Sequence, residues 1–268
     1  MNGETFSDTR IMNVGDSAVQ PRIPTIEILG IPFSTLTFDE TIELLAGWMK
    51  EDQPRQVVTA NPEYVMIAKE NPQLAAILRE ADLVTPDGIG AVMAGRLFGA
   101  PLEGRVTGAD MLPRLLDICD REKYRVYALG SKPEANQLAL QRFRREYPHV
   151  HFAGRDGYFI ESDVPDILDE IKQHRPHLLL VGLGMGKQDA FIAKYKKELG
   201  VPVSIAIGGS LDVFAGTVKR APLIWQKMHI EWLYRLLKQP SRWRRQLVLP
   251  KFAILVLSAY IRGRFQKN

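Results

Sequence analysis

The chain of 268 residues is 46% hydrophobic and 25% charged, which is the composition of a globular protein that can bury a large core. Collagen-like, coiled-coil and wholly disordered chains are excluded. The net charge of +4 conceals an uneven distribution. From Lys219 onward there are 12 Lys and Arg and one acid, Glu231, whereas the preceding 218 residues hold 23 bases and 30 acids. The tail therefore carries +11 and the body −7, and this asymmetry indicates a partner for the tail.

A single cysteine, Cys119, excludes an intramolecular disulfide and fits a reducing cytosol. It lies in a helix-like run, and we expect it in the core. Residues 1–20 are polar and lack the apolar segment of a signal peptide. We divide the chain into a flexible leader (1–22), a main domain (23–218) and a basic amphipathic C-terminal appendage (219–268).

Short apolar runs alternate with amphipathic runs along the body, which predicts strands alternating with helices. The predicted strands are 25–29, 56–59, 82–85, 125–129, 151–153, 178–181 and 203–207. The predicted helices are 38–50, 62–70, 72–79, 89–97, 109–121, 133–147, 164–174 and 187–199. Thr37 with Glu40 has capping-box spacing, and Asp163 is a further expected N-cap. The alternation predicts a Rossmann-like α/β fold, a largely parallel sheet with helices on both faces.

Three predicted strands end in glycine and lead into a helix, at Gly130, at Gly182 and Gly184, and at Gly208 and Gly209. Glycine lets backbone N–H groups approach a ligand closely, and helix N-termini favour negative charge. Because ligands in open α/β sheets bind at the carboxyl ends of strands, we expect a nucleotide or phosphate site there. The alternative is plain strand-to-helix geometry. The second turn has neither Walker spacing nor the third glycine of a dinucleotide fingerprint.

Three polar residues near strand ends are candidates for chemistry. Asp87 precedes Gly88 after a strand, where it can project into a cleft as a general base or form an ordinary Asp-Gly turn. Asp212 follows the last glycine turn and can hold a ribose or sugar hydroxyl or cap a helix. Arg105, two residues before Thr107, suits an anionic ligand, unless it is simply a solvated arginine.

Neither a metal nor an organic cofactor is expected. The chain has no D-x-D triplet, a motif with which many glycosyltransferases hold a divalent metal, and its five histidines show no ligand spacing. There is also no G-x-S-x-G motif or other nucleophile signature.

The tail has different chemistry from the body. It contains three of the four tryptophans and a run, 247–261, that is apolar except for Lys251, Ser258 and a Pro250 break. Fifteen interrupted residues are short for a bilayer span, but they suit a helical segment lying in the membrane interface with bases on anionic lipid. A buried oligomer contact and nucleic-acid binding are the alternatives, and the aliphatic run argues against nucleic acid.

An ordered set of motifs resembles the WecG/TagA/CpsF glycosyltransferase family from about residue 28 to residue 245. The motifs are 59–63 (TANPE), 86–88 (PDG), 105–110 (RVTGAD), 182–188 (GLGMGKQ), 208–212 (GGSLD) and 231–235 (EWLYR). Each motif is weak alone, whereas their order is specific. The resemblance is nearest to the teichoic-acid branch. It implies an inverting, metal-independent enzyme, cytoplasmic and peripherally attached to the inner face of the cell membrane.

The resemblance implies a reaction as well. A UDP-sugar donor would give N-acetylmannosamine, in β-1,4 linkage, to undecaprenyl-diphosphate-linked N-acetylglucosamine, the first committed step of the wall teichoic acid linkage unit. It implies Asp87 as general base and polar pocket residues at Thr59, Asn61, Arg105 and Gln188. Tail arginines that complete the site are implied at Arg235, Arg242 and Arg245. The chain departs from the family at Asp189, where Glu is usual, and at Leu211, where an aromatic is common.

Other functions fit the same residues. The donor could instead be UDP-N-acetylmannosaminuronic acid or UDP-glucose, in exopolysaccharide or enterobacterial-type antigen synthesis. A non-catalytic module that binds UDP-sugars and docks on membranes is an alternative of another class. A Rossmann oxidoreductase is disfavoured by the incomplete dinucleotide fingerprint. A homo-oligomer is compatible with the sequence.

Overall fold

The computed structural model describes residues 23–228, 230–238, 243 and 247–265. The strands are β1 (Thr25–Ile28), β2 (Ile31–Ser34), β3 (Arg55–Ala60), β4 (Leu83–Pro86), β5 (Arg125–Gly130), β6 (His151–Arg155), β7 (Leu178–Gly182) and β8 (Val203–Ala206). The helices are α1 (Phe38–Trp48), α2 (Pro62–Glu70), α3 (Pro72–Glu80), α4 (Ile89–Leu97), α5 (Gly108–Arg121), α6 (Pro133–Glu146), α7 (Val164–His174), α8 (Lys187–Leu199), α9 (Ser210–Phe214), α10 (Leu223–Lys227), α11 (Glu231–Lys238) and α12 (Val248–Phe265).

Six strands form one parallel sheet in the order β4–β3–β8–β7–β5–β6. Its central strands are buried along most of their length, as expected of strands covered on both faces. Helices α1, α5, α6 and α9 contribute to the core on one face, and α2, α3, α7 and α8 to the cores on the other. The predicted parallel α/β architecture is confirmed.

The N-terminal strand β1 pairs with β2 as an antiparallel hairpin separate from the main sheet. Leu29 and Gly30 form its turn, with φ of 50° and 86°. Two consecutive positive φ values suit the two-residue turns that match strand twist. The sequence predicts β1 but misses β2, because Leu-Gly lacks the Asn or Asp that usually signals such a turn.

Helix ends agree with the predicted caps in one case and differ in the other. Thr37 and Glu40 form the expected capping box at α1. Asp163 stands at the N-cap position of α7, but its side chain makes no capping bond there. Its carboxylate instead accepts from Ile160 N–H at 3.0 Å, which closes the short 3₁₀ turn before the helix. Cys119 is fully buried, as predicted.

The C-terminal helix α12 packs against α2 and α4 rather than standing apart from the body. Phe252 and Val256 are 4% and 5% exposed and belong to the same core as the hairpin. The outward side of the helix remains apolar, since Ile254 and Leu257 are 64% and 52% exposed. Among the described residues, no helix has both the length and the hydropathy needed to cross a bilayer.

Candidate active site

The carboxyl ends of five neighbouring strands place the predicted site residues along one edge of the sheet. Asp87 follows β4, Asn61 follows β3 and Gly208 lies just beyond β8. Helix α2, after β3, packs on one face of the sheet, whereas α9, after β8, packs on the other. Because the helices that follow these two neighbouring strands lie on opposite faces, the strand ends open a crevice between them that suits a ligand.

Asp87 lies half-buried at the end of β4, immediately before α4. Its N–H donates to Ala60 O at 2.9 Å, which joins this turn to the end of β3. Gly88 has a φ of 110°, and a Cβ there would lie 4.0 Å from Asn61 Cβ. The Asp87 and Asn61 turns are therefore direct neighbours, and glycine permits the reversal that lets α4 begin here.

Asn61 and Thr59 each have a structural partner. Asn61 Oδ1 accepts from Tyr64 N–H at 2.9 Å and so caps α2. Thr59 is half-buried, and its hydroxyl donates to Ala206 O at 3.4 Å, across to β8. Gly108, the first residue of α5, packs close to Thr59 Cγ2. The start of α5 thus lies beside the same strand ends, and a helix N-terminus favours an anion.

Arg105 lies on a segment fixed beside the end of β4. Val106 N–H donates to Pro86 O at 2.9 Å, and the Thr85 hydroxyl donates to Val106 O at 2.9 Å. These two hydrogen bonds fix Val106 beside the end of β4. Its neighbour Arg105 is therefore held close to the strand end that Asp87 follows. The predicted cation and the predicted base therefore share one corner of the site.

A charge network joins this corner to the tail. Arg105 Nη1 lies 3.4 Å from Glu231 Oε2, and Arg220 Nε lies 3.9 Å from Glu231 Oε1. Arg220 also donates to Asp110 Oδ1 at 2.5 Å, in the first turn of α5. Sequence reasoning named neither Glu231 nor Arg220 as a site residue. Two signals were available for Glu231: it is the only acid in a tail of 12 bases, and it opens the 231–235 motif.

The glycine turns differ in what they require. Gly130 has a φ of 138°, and a Cβ there would overlap the Gly182 carbonyl, so β5 and β7 end in very close approach. Gly184 and Gly208 have φ of 88° and 53° with open space where a side chain would be. These two turns leave backbone exposed at the strand ends, as a bound phosphate would need.

Gly209 and Asp212 form the remaining part of the last turn. Gly209 is exposed, and a Cβ there would lie 3.7 Å from Asp212 Oδ2. Asp212 is a residue of α9, whose N-cap is Gly209 and which has no side-chain cap. The helix-cap alternative for Asp212 is therefore wrong, and the hydroxyl-binding alternative stays a prediction.

Gln188 lies in the first turn of α8 and is 6% exposed. Its Oε1 is buried and accepts no hydrogen bond in the structure. Next to it, the fully buried Asp189 accepts a hydrogen bond from the Tyr64 hydroxyl. The sequence names Asp189 only as a departure from the family pattern and does not name Tyr64, because their contact joins residues distant in the chain.

Comparison with known proteins identifies the family. Residues 26–266 match the model of the glycosyl transferase WecG/TagA/CpsF family. The chain belongs to this family. The predicted resemblance is thus confirmed, and with it the prediction that the protein is a glycosyltransferase.

Three relatives of this glycosyltransferase are named N-acetylglucosaminyldiphosphoundecaprenol N-acetyl-beta-D-mannosaminyltransferase. The protein from Bacillus spizizenii W23 is 40% identical over 211 residues, covering 78% of this chain and 81% of its own. That of Bacillus subtilis strain 168 is 34% identical over 235 residues, covering 87% and 91%. That of Staphylococcus aureus MW2 is 31% identical over 236 residues, covering 87% and 92%.

Of the three tail arginines predicted to complete the site of this glycosyltransferase, the structure describes the position of one. Arg235 is in α11, one helical turn after Glu231, but its side chain lies outside what the structure describes. Arg242 and Arg245 lie outside the described residues. Within the described ranges, no three His, Cys, Asp or Glu side chains group together as ligands for a metal. The predicted metal independence stays a prediction.

Proposed function

We propose that the chain transfers N-acetylmannosamine from UDP-N-acetylmannosamine, with inversion, to undecaprenyl-diphosphate-linked N-acetylglucosamine in β-1,4 linkage. This would be the first committed step of the wall teichoic acid linkage unit. The names of the relatives support the acceptor and the sugar transferred. The observation that carries the proposal is the shared corner of Asp87 and Arg105, held together by the Val106–Pro86 hydrogen bond of 2.9 Å.

The chemistry follows from the two charges at that corner. In an inverting transfer, the acceptor hydroxyl attacks the anomeric carbon as the bond to UDP breaks. Asp87 takes the proton of that hydroxyl as the new bond forms. The negative charge that develops on the departing diphosphate meets Arg105 and the backbone N–H groups of the glycine turns and of the start of α5. Thr59 and Asn61 bind polar groups of the substrates between the two charges.

A lipid-linked acceptor requires the enzyme to work at a membrane surface, and we propose that the tail provides the contact. The exposed side of α12 offers Ile254, Leu257 and Ile261, which are 64%, 52% and 45% exposed. The tail also supplies the bases that an anionic lipid surface attracts, each contributing about 1 kcal/mol when well placed. The protein would then be cytoplasmic and peripheral on the inner face of the membrane.

The transfer is tested by incubating the full chain with UDP-N-acetylmannosamine and a short-chain lipid diphosphate of N-acetylglucosamine, and following UDP release. We expect turnover that persists in EDTA and falls about 10²–10⁴-fold in Asp87→Asn. Asp166→Asn, an exposed acid on α7, serves as the matched control. Undiminished turnover in Asp87→Asn would exclude the role assigned to that carboxylate.

A donor panel separates the remaining alternatives. UDP-N-acetylmannosaminuronic acid and UDP-glucose are offered in parallel with UDP-N-acetylmannosamine. Preferred turnover of either one would replace the proposed donor but keep the proposed site. Binding of UDP without transfer from any donor would instead favour the non-catalytic docking module.

A further inference from the structure

Tyr64 and Asp189 form a buried pair between α2 and α8. The Tyr64 hydroxyl donates to Asp189 Oδ2, and the two residues are 2% and 0% exposed. Burial raises the pKa of both groups, that of Asp189 to about 6. A buried ionised carboxylate is costly, and apolar side chains of similar volume are often at least as stable in such a place. Stability alone therefore does not account for a buried tyrosine–aspartate pair at this place.

Each end of the pair adjoins a residue of the proposed site. Tyr64 N–H donates to Asn61 Oδ1 at 2.9 Å, so the same residue that reaches α8 also holds the Asn61 turn. Asp189 directly follows Gln188. A third bond, from Gln56 Nε2 to Asp189 O at 3.0 Å, ties the same turn of α8 to β3. The first turn of α8 is therefore fixed against β3 and α2 together.

Gln188 is the residue that this rigid turn holds in place. A buried amide oxygen without a hydrogen bond costs about 1–3 kcal/mol, so a well-packed fold rarely keeps one. Gln188 Oε1 is such an atom, although the turn that carries it is held by two hydrogen bonds, from Gln56 and from Tyr64. An unsatisfied polar group on a rigid support is what a preorganised binding residue looks like before its ligand arrives.

We propose that Tyr64 and Asp189 are positioning residues of the transfer site, whose hydrogen bond fixes the Gln188 amide relative to the Asn61 turn for polar groups of the nucleotide sugar. The inference rests on the proposed function. Neither residue touches the reacting atoms. Their contribution is geometric, and displacement of a binding group by about 1 Å is enough to cost up to 100-fold in rate.

The decisive variant replaces both partners, Tyr64→Phe with Asp189→Leu. Because it removes the buried carboxyl together with the hydroxyl that donates to it, we expect a melting temperature close to that of the wild type. We expect kcat/KM to fall between about tenfold and 100-fold. Activity thus falls without a matching loss of stability. A purely structural pair predicts the contrary, a stable double variant with wild-type kcat/KM.

Two further variants control for chemistry and for place. Asp189→Glu keeps a carboxylate acceptor and should retain most of the activity that the double variant loses. Tyr127→Phe removes the hydroxyl of another buried tyrosine, which donates to Glu170 Oε2 at 2.8 Å between β5 and α7. It should leave kcat/KM unchanged. An equal loss of activity in Tyr127→Phe would overturn the inference.

A readout without turnover separates this inference from the proposed function. Hydrogen–deuterium exchange of amides 184–189 should be faster in the double variant than in the wild type and unchanged in Tyr127→Phe. If the wild type transfers no sugar from any UDP-sugar, the proposed function fails, and the exchange comparison still decides. Equal exchange of residues 184–189 in the wild type and the double variant would overturn the positioning role.

Discussion

Arg105 Nη1 lies 3.4 Å from Glu231 Oε2, so the cation of the proposed site is paired with the single acid of the basic tail. Both side chains are mostly buried, with 16% and 11% exposed. Glu231 also faces Arg220, which in turn binds Asp110 at the start of α5. The tail is thereby attached to the catalytic body through the residue expected to meet the diphosphate.

Glu231→Gln should weaken both the attachment of the tail and the orientation of Arg105. Hydrogen bonds to charged groups contribute about 1.5–3 kcal/mol, so we expect kcat/KM to fall by about tenfold or more. Steady-state kinetics with the UDP-sugar donor measure the effect. Glu161→Gln, which removes an exposed ion pair with Lys194, is the control. Equal kinetics in the two variants would contradict the role of the network.

The buried carboxyl of Asp189 should make stability depend on pH. Its pKa lies near 6 in the folded chain against an ordinary value of 3.8, because burial disfavours the charged form. Between these values the folded chain binds more protons than the unfolded chain, so its stability falls as the pH rises. Urea denaturation at pH 4, 5, 6 and 7 should show the wild type losing between about 1 and 3 kcal/mol relative to the Tyr64→Phe/Asp189→Leu double variant. Parallel pH profiles would contradict this.

Gly130→Ala should destabilise the fold, since the added methyl would overlap the Gly182 carbonyl and φ would stay at 138°. We expect a loss of more than about 1 kcal/mol. Gly47→Ala is the matched control, because Gly47 lies inside α1 with open space around its Cβ position. That change should stabilise by roughly 0.5–1 kcal/mol. Thermal melts of both variants check the pair, and a Gly130→Ala variant as stable as the wild type would refute the close-packed turn.

The thiol of Cys119 should be unreactive in the folded protein. The residue is fully buried, and burial raises the pKa of the thiol to about 12. As it is the only cysteine, a colorimetric thiol reagent reports on it alone. We expect no reaction in native buffer and one equivalent in denaturant. Rapid native labelling would mean that the core around α5 opens readily.

Docking on lipid should depend on the outer side of α12. Leu257→Lys places a charge among exposed apolar residues and should reduce binding to vesicles containing phosphatidylglycerol. Leu138→Lys makes the same change on α6, where the leucine is 45% exposed, and should leave binding intact. Co-sedimentation with the vesicles distinguishes them. Equal binding by both variants would remove α12 from the proposed membrane contact.

The sequence predicted well what depends on local pattern. The six sheet strands, the capping box at Thr37 and the glycine turns all come from short-range periodicity and turn chemistry. It missed β2, whose turn lacks the usual residues, and the pairing of Tyr64 with Asp189. Long-range contacts of this kind are set by tertiary packing, which no local pattern records.

The packing of the C-terminal tail is a second long-range contact that local pattern does not predict. Its charge and hydropathy predict an appendage from residue 219, yet Phe252 lies in the core of the body. The periodicity of α12 is weak because both of its sides are apolar, one against the protein and one exposed. When both sides of a helix are apolar, the sequence does not distinguish the buried side from the exposed side.

Helix α12 rests on α2 and α4, and these two helices begin at the residues that follow Asn61 and Gly88. Each has nine residues and is therefore about 13 Å long. The C-terminal helix therefore contacts the two short helices that begin at the Asn61 and Asp87 turns. A change in the position of α12 on a membrane would bear on the two helices that support the Asn61 and Asp87 turns, both on one face of the sheet.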